Sequence, residues 1–308
     1  MQRRWKLGGT ALALVTWAVS TGATSLLAQN PDQWLNAPVP PSGRQIIPFF
    51  EGWYANPDGT YTLSFGYLNR NPDTTADIPL GERNLIEPSK YDGVQPTHFL
   101  PSRRRGWFAI TVPAAERDQD VWWSLTGRDG QVYRVPGRTS AGAYQLDWNA
   151  RPHGSLPPLM WFDSERNARQ GPEGIRASQA LTTSVGRPVT LAVSTRDPSV
   201  RDPSDRRFAE PLDVRVIWST YSGPVGAVTF TRDESMPAPE PAGGRGGPPP
   251  PEAIMLDGVA GTARVMATFS VPGEYVMLAQ ADNWRSPDSS AGDQCCWTNA
   301  YQRVIVTP

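Results

Sequence analysis

Two runs near the end of the chain, Thr262 to Val271 and Glu274 to Asp282, alternate apolar and polar side chains and are joined by the tight turn Val271-Pro272-Gly273-Glu274. Ala263, Val265, Ala267, Phe269 and Val271 fall on one face; Tyr275, Met277, Ala279 and Ala281 continue it past the corner. A side-chain period of two suits strands buried on one side only, as in two antiparallel sheets packed face to face. The pattern predicts a sandwich and carries little chemistry.

Further strands are predicted upstream over Ala180 to Val185, Pro188 to Ser194, Leu212 to Thr220 and Ala227 to Thr231, and downstream over Tyr301 to Thr307. Leu212, Val214, Val216 and Trp218 form the inward set of the third. Nearer the N-terminus, Ile46 to Tyr54 turns at Asn56-Pro57-Asp58-Gly59 and returns as Thr60 to Leu68. Val121 to Thr126 turns at Gly127-Arg128-Asp129-Gly130 and returns as Gln131 to Val135. Asp-Gly between alternating runs is a strong hairpin signal. Gly106 to Pro113 adds another strand. With Pro 32 and Gly 28 and no helical period after residue 28, the fold class is all-β, with two β-sandwich domains in tandem.

Met1 to Lys6 is basic, Leu7 to Leu27 carries no charge, and Ala28 precedes the polar Gln29-Asn30-Pro31. This is the layout of a secretory signal peptide over 1–28. An uncleaved anchor is the alternative, but the Gly, Thr and Ser content and the small residue at the cleavage point favour removal, leaving no stable membrane span. Losing Arg3, Arg4 and Lys6 from 29 bases against 30 acids leaves a net charge of −4. No basic field remains for a nucleic acid or an anionic membrane surface. The expected organisation is a Pro-rich leader over 29–45, a first sandwich over 46–148, a connecting segment over 149–174 and a second sandwich over 175–308. Within the connection, Leu159-Met160-Trp161-Phe162 is too apolar to hang in water and should dock on a domain.

Trp218 on the third strand and Tyr275 after the Pro272-Gly273 corner match the buried Trp and tyrosine corner of immunoglobulin-like sandwiches. More narrowly, Val216-Ile217-Trp218, Ser222-Gly223-Pro224, Val228-Thr229-Phe230, Ala267-Thr268-Phe269-Ser270 and Pro272-Gly273-Glu274-Tyr275 together resemble the PKD-type repeats of secreted bacterial proteins over 177–308. The intersheet cysteines of antibody domains are absent, and Glu234 to Leu256 is a Pro/Gly-rich insertion outside the pattern. The resemblance implies a spacer or an adhesion and binding module, and no reaction. The first domain carries no comparable signature.

The long connections Arg196 to Pro211, Arg232 to Gly261 and Asp282 to Ala300 gather at one pole of the second sandwich. There they either meet a ligand or pack against the neighbouring domain, because the first strand also begins at that pole. Cys295 and Cys296, the only cysteines, lie in the last of these loops. Adjacent Cα atoms, about 3.8 Å apart, are closer than a relaxed disulfide prefers. A strained vicinal disulfide, favoured in an oxidising compartment, stands beside two free or intermolecular thiols and a soft-metal site.

Asp197, Asp202 and Asp205 in one loop and Asp282, Asp288 and Asp293 in another could converge on Ca2+, the one cofactor considered. Against this, Arg196, Arg201, Arg206 and Arg207 alternate with the first group and describe a self-neutralised loop. The stretch from Asn69 to Arg105 has little pattern and is the best polar ligand surface of the first domain. It holds Asn69, Arg70, Asn71, Glu82, Arg83 and His98, which is a general-base or metal-ligand candidate more often structural in such a setting. Trp122 and Trp123 point to opposite faces, so one of them lies outside the core.

The sequence has no nucleophile elbow, metalloprotease motif, phosphate-binding Gly loop or zinc-type Cys/His spacing. The reading is an exported, periplasmic or extracellular, non-catalytic binding or structural module whose partner is a protein or polysaccharide of the cell envelope. The alternatives are a carbohydrate-binding or carbohydrate-active protein using the first domain's aromatics and its long loop, and a metal or redox role at Cys295 and Cys296.

Overall fold

The computed structural model describes residues 43–151, 153–208, 210, 212–239, 249–283 and 297–308. Among these, strands and single 3-10 turns make up all the regular structure, so the chain is all-β. The first half contains β1 (Ile46–Ala55), β2 (Tyr61–Asn69), β3 (Ala76–Asp77), β4 (Asn84–Glu87), β5 (His98–Phe99), β6 (Ser102–Val112), β7 (Val121–Thr126), β8 (Val132–Gly137) and β9 (Gln145–Leu146). The second contains β10 (Leu159–Trp161), β11 (Ile175–Arg176), β12 (Leu181–Ser184), β13 (Val189–Arg196), β14 (Arg215–Ser222), β15 (Val228–Arg232), β16 (Ala253–Met255), β17 (Ala260–Phe269), β18 (Gly273–Asp282) and β19 (Trp297–Thr307).

In the first half a sheet of order β6-β2-β1-β9 faces a sheet of order β4-β7-β8. Alternation drives Leu63, Phe65 and Tyr67 from β2, Phe108, Ile110 and Val112 from β6, and Val121, Trp123 and Leu125 from β7 into one core. Its centre is aromatic: Trp123 meets Phe108 edge-on at 4.9 Å, and Phe65 stacks on Phe108 at 5.2 Å.

The second half packs a sheet of order β10-β13-β17-β15 against one of order β11-β19-β18-β14-β16, with β12 also beside β19. This is the strand order of an immunoglobulin-like sandwich. Trp218 is fully buried on β14, and the Tyr275 hydroxyl donates to the Val271 carbonyl at 2.9 Å, closing the tyrosine corner. Ala263, Val265, Ala267 and Phe269 point inward with Tyr275, Met277, Ala279 and Ala281, as their spacing requires.

The expectation of burial on one side only holds for β17 and fails for β18, and β19 beside it is likewise buried on both faces. Leu278 and Tyr301, on the opposite faces of these strands, are buried in the first half's core together with Tyr221. The two sandwiches therefore share one apolar cluster. Apolar residues on both sides of a strand are the mark of a sheet covered on both faces.

Polar contacts complete the joint. Asn299 Nδ2 donates to the Gly106 and Pro172 carbonyls at 2.8 Å each, and the Tyr301 hydroxyl donates to the Trp107 carbonyl at 3.2 Å. Thr97 N–H donates to the Tyr221 carbonyl at 3.1 Å, and the Tyr221 hydroxyl donates to the Val94 carbonyl. The Val94 to Thr97 segment thus covers the part of the β14 edge that β16 leaves open. Gly106 has φ +49°, and a Cβ there would stand 2.6 Å from Cζ2 of Trp297, so both backbone and space call for glycine.

The connecting segment is built in. Leu159–Trp161 is a strand paired with β13, and Met160 is fully buried in the second core. Glu173 accepts from Thr111 at 2.6 Å, so the connection also reaches the outer face of the first sheet, where Trp148, just before it, stacks on Tyr54 at 4.3 Å.

Burial holds the hydroxyls of Tyr67 and Tyr221 well above the ordinary tyrosine range and pushes Tyr301 up to about 12. A folded-state pKa above the unfolded value of about 10 favours the neutral, folded form. That stabilisation is complete below about pH 10 and should be lost as pH rises towards 12. Spectrophotometric titration should find these tyrosines ionising together with loss of near-ultraviolet circular dichroism. Ionisation at pH 10 with the signal intact would contradict their burial.

Candidate recognition surface

Of the residues the sequence singles out, Trp122 lies on the outer face of the β4-β7-β8 sheet, with Glu82 and Arg83 beside it. Because Val121, Trp123 and Leu125 enter the core, Trp122, Ser124 and Thr126 face outward. The hairpin register pairs Thr126 with Val132, Ser124 with Arg134 and Trp122 with Pro136. Arg134 and Arg138 are thereby brought over Trp122, with guanidinium carbons 4.5 Å and 5.8 Å from the ring centre. Arg134 also bonds Ser124 Oγ at 3.1 Å and pairs with Glu87 at 2.5 Å; Arg138 pairs with Asp120 at 2.6 Å. Exposed pairs of this kind add little stability. They do hold long side chains in fixed positions around the indole.

Arg83 lies beside the same sheet, donating to the Thr126 carbonyl at 3.3 Å, with exposed Glu82 next to it. Val132 is 61% exposed on this face. Arg70 sits towards the edge of the hairpin, bonded to Gln45 Oε1 at 2.9 Å.

Other predicted residues lie elsewhere. Asn69 and Asn71 are buried: Asn69 donates to the Thr74 and Phe99 carbonyls at 2.9 Å each, and its Oδ1 accepts from Asn71. Asn71 in turn bonds both main-chain groups of Arg44. Neither side chain reaches the surface. His98 Nδ1 is 2.7 Å from Asp77 Oδ1 across the short β3-β5 pair, next to Thr97 of the joint.

Among the described residues, the carboxylates considered for a cation are engaged locally. Buried Asp197 pairs with Arg201 at 2.7 Å. Asp202 caps its own turn through Ser204, whose hydrogen bonds lower its pKa. Asp282 pairs with Arg215; burial pushes its carboxyl up and the guanidinium pulls it back. Among the described residues no three His, Cys, Asp or Glu side chains are grouped to hold a metal. Asp288, Asp293, Cys295 and Cys296 lie outside the described residues.

The pole of long loops meets the connecting segment. Asn283 Nδ2 donates to the Leu156 carbonyl at 2.8 Å, Ser199 Oγ accepts from Leu156 N–H at 2.9 Å, and Arg201 reaches Ser155 Oγ at 3.2 Å. The first half instead rests on the open face of β18 and β19.

Sequence reasoning missed Arg134 and Arg138, although the turn at 127–130 fixes the register that places them. It also missed the ion pair of Arg103 with largely buried Glu51 at 2.7 Å, where Phe49 lies 3.6 Å beneath the guanidinium. Glu51 sits at a β-bulge between Phe50 and Gly52, and no alternation pattern reveals a bulge.

No protein-family model and no curated protein matches the chain. Solved structures it is similar to include the D00-D0 domain of intimin, at 14% identity and TM-score 0.25 over 86% of this chain and 100% of that one. The adhesin InvE of Yersinia pseudotuberculosis gives 10% and 0.24 over 84% and 58%, and domains 4 and 5 of the S-layer protein SbsC give 10% and 0.23 over 86% and 98%. At such TM-scores these likenesses bear no weight, and the immunoglobulin-like assignment stands on strand order, Trp218 and the Tyr275 corner. No helix among the described residues is long and apolar enough to cross a membrane.

Proposed function

We propose that the chain is an exported, non-catalytic module of the cell envelope or extracellular space, with a PKD-like second half. Its role is to hold the outer face of β4-β7-β8 towards a protein or polysaccharide partner. The observation that carries the reading is the shared core of Tyr221, Leu278 and Tyr301 with the first half, which turns two sandwiches into one stiff carrier for that face. Residues 1–28 serve export and are removed in this reading.

The test is retention of the mature protein on purified envelope polysaccharides and immobilised envelope proteins. Trp122→Ala should lower retention about tenfold or more, as loss of a central aromatic anchor does. Its stability should change little, because the ring is outside the core. Equal retention by the variant and the parent would remove this face from the proposal.

A second reading, carbohydrate stacking, is favoured by Tyr144, 52% exposed and 5.9 Å from Phe50. Two guanidinium groups lie over Trp122, whereas Tyr144 offers a ring to solvent. Glycan binding lost in Tyr144→Ala but kept in Trp122→Ala would favour this second reading.

A further inference from the structure

We propose that β15 is a self-pairing edge, through which two copies of this chain join their β10-β13-β17-β15 sheets in antiparallel register about a two-fold axis at Phe230. Among the described residues β15 closes its sheet, with β17 as its strand neighbour. Ser270 N–H donates to the Ala227 carbonyl at 3.0 Å, which makes 227 and 270 a hydrogen-bonded pair. Antiparallel pairs alternate, so Val228, Phe230 and Arg232 turn their N–H and C=O groups away from β17, towards the open edge. Such a row is a template for another strand.

Neighbouring edges are managed differently. At β10, Arg169 and Met160 exchange two backbone bonds of 3.0 Å. At β14, β16 and Thr97 divide the edge between them. β15 has no Lys, no Pro and no register shift. Its one charge is drawn aside: the Arg232 guanidinium donates to the Pro237 carbonyl, at 2.9 Å from Nε, and to the Ala253 carbonyl at 3.2 Å.

The strand's own sequence selects a second copy as the occupant. About a two-fold axis at Phe230, the Phe230 residues exchange both backbone bonds, Thr229 faces Thr231, Val228 faces Arg232 and Ala227 faces Asp233. No like charges meet, and Thr229 and Thr231, both exposed, form cross-strand threonine pairs on the outer face. The paired edges are short, well below the roughly 1,200 Å² of a stable interface, so association is weak and matters where copies are held close together. This inference does not depend on the β4-β7-β8 face.

Sedimentation velocity on the intact mature protein tests it. The parent should associate progressively between about 10 μM and about 1 mM, the range suited to a small interface. Thr229→Lys with Thr231→Lys should stay monomeric, as should Thr229→Glu with Thr231→Glu, and an equal mixture of the two should associate. A monomeric parent at the top of the range, or a lysine variant associating like the parent, would overturn the proposal. Should the variants fail to fold, hydrogen exchange on the parent decides: the Phe230 amide should slow about tenfold as concentration rises across that range. A rate independent of concentration would also overturn it.

Discussion

Trp218→Ala should destabilise the protein by about 3–5 kcal/mol, measured by chemical denaturation, because it leaves a large cavity between the two sheets of the second half. The side chain is fully buried, and its indole N–H has no hydrogen-bond partner among the described residues. The loss is therefore one of volume and packing. Trp218→Phe, which keeps most of the ring and removes an unsatisfied donor, should cost well under half as much. Equal losses for the two variants would point to a polar role for the indole. A neutral alanine variant would refute the placement of β14 in the core.

A larger loss is expected at the joint. Leu278 is fully buried against the first half, so Leu278→Asp places a carboxyl among Tyr221, Tyr301 and the aromatic core with no partner designed for it. The expected cost exceeds about 4 kcal/mol, in the range of unpaired buried charges. Val132→Asp, at a 61% exposed position, should stay within about 0.5 kcal/mol. Calorimetry adds a second readout. The parent should melt in one transition, whereas a variant that folds with a broken joint should show two. Two transitions in the parent would mean that the shared cluster does not couple the halves.

Most of the second half was legible because one-sided burial leaves a period of two in the sequence, and Val214, Val216 and Trp218 sit where that period puts them. The Trp122 and Trp123 split was legible for the same reason. The stretch from Asn69 to Arg105 was not. Its strands β3, β4 and β5 are two to four residues long, and side-chain amides hold them in place. Asn84 donates to the Ile78 carbonyl at 3.0 Å and the Pro96 carbonyl at 2.7 Å, and its Oδ1 accepts from Trp123 Nε1 at 3.1 Å. Such a hub has no periodic signature. The same chemistry draws Asn69 and Asn71 inside, although their place after the predicted strand Thr60 to Leu68 suggests a surface role. The joint did leave a trace: Val276 and Leu278 are apolar at positions that a solvated face would fill with polar groups.

The bond from Asn299 to Gly106 spans 193 positions of the chain, and that from Tyr301 to Trp107 spans 194. Contacts this distant in sequence close late, because the loop between them must be ordered first. The early portion of the polypeptide is thus denied its finished interior until the final strand arrives. The two halves can lock together only once that strand is in place.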